Sequence, residues 1–111
     1  MLYTTLQVGE KEYKLRLPSK SACAIERKIG KSVLTIFGEG ELNDLPNLET
    51  LITVLHGSLQ VYEHGVTLDD TYEIYDKYVE HGGSYAGLIQ ELVEVLKVSG
   101  FFKGAPKSKT E

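Results

Sequence analysis

Cysteine is nearly absent from this chain of 111 residues. Cys23 stands alone, which excludes an intrachain disulfide and a thiolate metal cage and fits a reducing compartment. Long apolar runs are missing too: none approaches the ~20 residues that a membrane-spanning helix needs. The first residues alternate like a strand and do not form a basic-then-apolar leader, so a soluble, cytoplasmic protein is expected. Charge is unevenly spread along the chain. Residues 63–94 hold eight acids and a single base, Lys77, whereas residues 1–31 hold seven bases against three acids. Such blocks are ordinarily solvated faces. The sharper alternative is complementarity between copies, the basic end of one meeting the acidic end of the next. That contact would be head-to-tail and would build a ring or an open helix.

Constellations that carry chemistry are equally scarce. His56, His64 and His81 include no pair three or four residues apart, the spacing by which one helix presents two metal ligands. His64 and His81 fall instead at expected helix C-termini, where the dipole favours partial positive charge. Asp69 and Asp70 open a helix, and the same dipole accounts for them; Glu91 and Glu94 are expected on the outer side of the last helix. No nucleophile–base arrangement and no glycine-rich phosphate loop can be assigned. Cys23, between Ala22 and Ala24, reads as a small buried or half-buried residue and not as a nucleophile. No enzyme activity, cofactor or metal is therefore expected. Lys11, Lys14, Arg16, Lys20, Arg27, Lys28 and Lys31 could form a basic patch with Tyr3 as a stacking surface. The acidic remainder opposes phosphate, however, and no nucleic-acid-binding motif is present.

What the chain does have is hydrophobic periodicity. With 41% hydrophobic residues in a single domain's length, it can bury a modest core without cross-links. Gly9-Glu10 suits a two-residue hairpin turn with glycine first. Closing there pairs Val8 with Lys11, Leu6 with Tyr13, Thr4 with Leu15 and Leu2 with Leu17, and leaves Tyr3, Thr5, Gln7, Lys14 and Arg16 on the other face. The free edges of that hairpin are possible docking sites. Pro18-Ser19 opens a short helix with Ala22, Ile25 and Ile29 on one face and Gly30 at its end. Ser32 can cap a further turn over Val33 to Phe37. A third helix follows Pro46, with Leu48, Leu51, Ile52, Leu55, Leu59 and Tyr62 in one stripe and Gly57 inside it marking close packing. The fourth runs from about Leu68 to Val79, opened by a Thr67–Asp70 capping box, with Leu68, Tyr72, Tyr75, Tyr78 and Val79 facing inward. The fifth, capped by Ser84, runs from Tyr85 to Val98 on Leu88, Ile89, Leu92, Val93 and Leu96, with Gly100 as its left-handed stop. The expected fold is α+β: residues 1–102 form one globular domain, a β-hairpin on about four helices, and residues 103–111 a flexible polar tail.

Two aromatic groups are candidate partner-binding residues. Tyr72, Tyr75 and Tyr78 at helical spacing are core packing in one reading and a tyrosine-lined groove for a partner helix in the other. Phe101 and Phe102 are adjacent and point different ways, so one is expected to fold over the last helix. Taken with LYTTLQVGEKEYKLRL at the start and PNLETLITVLHGSLQ in the centre, the stretch GVTLDDTYEIYDKYVEHGGSYAGLIQELVEVLKVSGFFK resembles the tail assembly chaperones of long-tailed phages and prophages of Gram-positive hosts. The similarity covers nearly the whole chain in order: hairpin, short helix ending in Ile-Gly, long helix, helical pair, Gly-Phe-Phe-Lys. It implies a non-catalytic protein of the host cytoplasm that binds the tape-measure protein, keeps it soluble, helps recruit tail-tube subunits and leaves before the particle is complete. It also implies a longer form made by a programmed frameshift. The alternatives are a structural head–tail or tail-completion subunit and a small host adaptor protein.

Overall fold

The computed structural model describes residues 2–37 and 45–101, and the backbone of residues 109–110. Two strands, β1 (Leu2–Val8) and β2 (Lys11–Leu15), precede helices α1 (Ser19–Ile29), α2 (Val33–Phe37), α3 (Leu48–Leu59), α4 (Leu68–Glu80) and α5 (Tyr85–Val98), and a short β3 (Lys109–Thr110) ends the chain. This is the α+β hairpin-and-helices architecture that the periodicities predict. The hairpin register is as expected from Val8↔Lys11 to Thr4↔Leu15, turning at Gly9 with φ +61°, a conformation that glycine adopts without steric cost.

The predicted Leu2–Leu17 pair is not made. After Leu15 the chain is claimed by the helices: the Arg16 N–H donates to the Ser58 carbonyl at 3.0 Å, and the Leu17 N–H donates to Ser99 Oγ at 3.0 Å. Leu2 and Tyr3 pair instead with Thr110 and Lys109 on the opposite edge of β1, giving the order β2-β1-β3. That edge, read from the sequence as free, is thus occupied at one end. Residues 103–108 of the predicted flexible tail, and the glycine-rich loop over 38–44, lie outside the described residues.

Helix α3 forms the centre. Its predicted stripe is buried at Leu51, Ile52, Leu55 and Leu59, but Thr53, Val54, Gly57 and Ser58 are buried as well. Leu48, expected inside, is exposed at the first turn. The two buried hydroxyls donate to carbonyls one turn back, Thr53 to Glu49 and Ser58 to Val54, each at 2.8 Å, so neither is buried without a partner. A β-carbon at Gly57 would come within 2.8 Å of Ile25 Cδ1, which is the close approach of α1 that the glycine signalled. The core that α3 shares is completed by Leu6, Val8 and Leu15 from the hairpin, Ala22 and Ile25 from α1, Ile74 from α4, and Leu88, Leu92, Val95 and Leu96 from α5.

The caps fall where the side chains announce them. Asn47 accepts from the Thr50 N–H and Ser84 from the Gly87 N–H. Thr67 and Asp70 form the reciprocal box, at 2.9 and 3.0 Å. The Thr67 backbone N–H and then its side chain hold the Asp70 carboxyl below its ordinary value of 3.8, against a slight desolvation. In the unfolded chain Asp70 therefore takes up its proton first as the pH drops. Its contribution to stability is complete above 3.8 and is lost as pH falls through the lower folded-state value. Thermal melts of Asp70→Ala against the parent should show a gap at neutral pH that narrows below 3.8; a gap that holds or widens in acid contradicts the assignment.

Candidate functional site

The five aromatic candidates do not form one surface. On α4 the residues turned into the core are Thr71 and Ile74, with Tyr78 partly buried beside them. Of the residues read as inward from the sequence, Tyr75 and Tyr78 pack partly buried against the core, whereas Tyr72 and Val79 are turned outward. Tyr72 and Val79 are 39% and 43% exposed, while Leu68 and Tyr75 are half-buried. The correction has a physical cause. Leu68, Tyr72, Tyr75 and Val79 recur at i, i+4, i+7 and i+11, a helical stripe in its own right, but the fully buried side of the helix is taken by Thr71 and Ile74. The Thr71 hydroxyl makes its burial possible by donating to the Thr67 carbonyl at 2.9 Å.

Tyr78 is held in a notch made by missing side chains. A β-carbon at Gly83 would lie 2.5 Å from the Tyr78 ring, and one at Gly87 would lie 2.9 Å from its hydroxyl. Burial, and secondarily the charge of Glu91, raises the Tyr78 phenol above its ordinary value, so it remains neutral. The ring faces a cleft of about 1020 Å³ between the hairpin tip and the α4–α5 corner, shared with Leu6, Val8, Tyr13 and His81. His81 caps α4: its Nδ1 lies 2.8 Å from the Lys77 carbonyl, and its other edge rests on Gly9 of the hairpin turn. His64 does the same after α3, its Nδ1 3.0 Å from the Gln60 carbonyl.

Phe101 sits at the far end of α5. Gly100 takes φ +90°, the Phe101 N–H bonds back to the Leu96 carbonyl at 2.9 Å, and its half-buried ring packs on the core. One Arg16 nitrogen gathers the same corner, donating to the carbonyls of Leu2 at 2.7 Å and Val98 at 3.3 Å. Phe102 lies outside the described residues. Tyr78 and Phe101 are thus separated by the length of α5, roughly 20 Å at 1.5 Å per residue, and cannot serve one small contact.

Two further expectations change. Cys23 is exposed on α1, because Ala22 and Ile25 take the buried side of that helix. Tyr3 is only 9% exposed. Its ring meets Tyr62 at 5.5 Å between centroids and carries Lys14 at 4.9 Å, so it is not open as a stacking surface. The charge blocks, by contrast, lie outward. Lys20, Arg27, Lys28 and Lys31 are exposed along and just after α1, and Asp69, Asp70, Glu73, Asp76 and Glu80 are exposed along α4. One pair already joins the two segments within the molecule, Lys11 with Glu63 at 3.4 Å.

A second, smaller pocket of about 260 Å³ opens between α1 and α3. Ala24, Ile25, Gly57 and Leu68, the first residue of α4, line it together with the polar Lys28, His56 and Gln60. Among the described residues no three His, Cys, Asp or Glu side chains come together as a metal site. Among the same residues, no helix is long and apolar enough to cross a membrane.

These features define a small α+β domain whose distinctive groups are surface faces. A family model matches residues 2–111, that of a family of unknown function, DUF6096, and the chain belongs to that family. Neither a curated protein nor a solved structure matches it.

The Tyr78 notch makes a direct test of packing. Gly83→Ala drives a methyl into a rigid ring and should destabilise the domain by about 1–3 kcal/mol, the range for overpacking. In a Tyr78→Ala background the same substitution should cost far less, because the two positions share one contact. Urea unfolding of the four proteins measures this, and additive losses would refute the contact.

Proposed function

We propose that this protein is a phage tail assembly chaperone: it binds the tape-measure protein in the host cytoplasm, keeps it soluble and helps recruit tail-tube subunits. The sequence resemblance, which spans the chain from hairpin to Gly-Phe-Phe-Lys, motivates the reading. The structural observation that supports it best is the outward face of α4, where Tyr72 and Val79 are exposed among acids. A surface of this kind suits transient capture of a helical, partly apolar client. The reading is non-catalytic and needs neither cofactor nor metal.

Co-expression with a candidate tape-measure protein should raise the soluble fraction of that protein. Purified particles should lack the chaperone. A client equally insoluble with and without it would defeat the proposal, and stoichiometric presence in particles would make it a structural tail-completion subunit instead.

The outward basic face of α1 and acidic face of α4 also favour head-to-tail contact between copies. Such association should weaken as salt rises, since exposed charges are screened over ~10 Å at 0.1 M. Light scattering across ionic strength checks this; a salt-indifferent oligomer, or a monomer at high concentration in low salt, speaks against it.

A further inference from the structure

The outward stripe of α4 and the α1–α3 pocket are continuous. Leu68 belongs to both: it is the first residue of the stripe Leu68–Tyr72–Tyr75–Val79 and lines the pocket with Ala24, Ile25 and Gly57. The stripe covers ~16 Å along the helix, three turns at 1.5 Å per residue. Beside it runs a second row, Asp69, Glu73, Asp76 and Glu80, all exposed. On a helix at 100° per residue these acids lie to one side of Tyr72 and Val79, while Thr71, Ile74 and Tyr78 lie toward the core.

We infer that this composite groove is a docking site for a basic amphipathic helix of another protein. Its apolar residues, repeating every three to four positions, cover Tyr72, Val79 and the open part of Tyr75, whose ring otherwise packs on the core, and its lysines or arginines meet the acid row. The partner's end nearest Leu68 places one large apolar side chain in the pocket of about 260 Å³. Charge complementarity fixes the sign of the partner, because four carboxylates flank the stripe along its length. Apolar area decides against the basic α1 face of a second copy as occupant. The basic helical face that the chain itself exposes, Lys20, Arg27, Lys28 and Lys31, carries only Cys23 and Ala24 between its charges. Those two side chains are too small to cover a tyrosine ring and a valine, so contact with another copy's α1 would satisfy the charges and leave the stripe wet. The natural identity of the partner rests on the chaperone reading; the surface does not.

The test uses the full chain and synthetic helical peptides of about 18 residues, ~27 Å long. One is built of leucine and lysine with a single apolar face. The second has the same composition scrambled so that no face forms, and the third has glutamate in place of lysine. Titration calorimetry at ~0.15 M salt, where exposed charges are screened within ~8 Å, should show the amphipathic basic peptide binding at least about tenfold tighter than the scrambled one, a difference of ~1.4 kcal/mol. The glutamate peptide should not bind. Tyr72→Gln with Val79→Gln should abolish the preference for the amphipathic peptide. Its circular dichroism and melting should match the parent, since both side chains are at the surface.

Equal binding of the basic and scrambled peptides would show charge alone at work and overturn the site. So would a double variant that keeps the preference, or one that loses self-association, which would assign the stripe to a second copy. If the peptide binds through the stripe while the tape-measure protein is not solubilised, the chaperone reading fails and the docking site stands. If the client is solubilised equally well by the double variant and the peptide is ignored, the site fails and the chaperone reading stands.

Discussion

The fold depends on a helix that is buried almost all round. α3 is covered by the hairpin, α1, α4 and α5, and eight of its twelve residues are buried. Such a helix can carry polar side chains only where their hydrogen bonds close locally. Thr53 and Ser58 meet that condition by bonding to carbonyls one turn back. It can be approached closely only where a side chain is missing, and Gly57 under Ile25 is that place. The Ser58 carbonyl accepts from the Arg16 N–H, so the strand leaving the hairpin is tied to the same turn. A branched residue at position 57 would push α1 away and open the core that the other elements share.

This arrangement explains which parts of the structure were legible in the sequence. Caps, turns and element order depend on neighbours in the chain. Gly9, Ser32, Thr67–Asp70, Ser84 and Gly100 therefore announced their roles correctly. The inner face of α5 was mostly legible too, because its apolar residues face one way; only Val95 and Val98 were missed. α4 was not. It carries more apolar residues than one buried side can use, and its most regular set is not the fully buried one. The smaller set, Thr71 and Ile74, went inside, because the helix lies close to α3 there and a threonine can satisfy itself against Thr67. Nothing in local periodicity separates two apolar stripes on one helix; that choice belongs to the packing of the whole domain. An excess of apolar residues beside an unbroken run of acids was the available sign that one stripe stays outside.

The aromatic residues separate by the same logic. Tyr78 is fixed because Gly83 and Gly87 leave room for its ring, which makes the Gly82-Gly83 corner a seat as well as a helix break. Phe101 is fixed by the left-handed turn at Gly100 and closes the corner that Arg16 gathers. Both are held by the fold and have little freedom to serve a partner. Tyr72 and Val79 have no such duties. The division between side chains that complete the domain and those left at the surface therefore runs along a single helix.

The acid row beside that stripe does more than attract a basic partner. An exposed apolar stripe invites two copies to pair stripe to stripe, the contact that a two-fold dimer would use. Here such pairing would set Asp69, Glu73, Asp76 and Glu80 of one copy against the same residues of the next, a like-charge contact that opposes burial of the stripe. The α1 face, with its lysines and small side chains, can meet the acids but cannot cover the tyrosine. The surface thus opposes stripe-to-stripe pairing by repulsion, and a head-to-tail contact through α1 would engage its acids and leave Tyr72 uncovered. The docking proposed above meets both conditions, since a helix that is basic and apolar at once matches the acids and covers the ring.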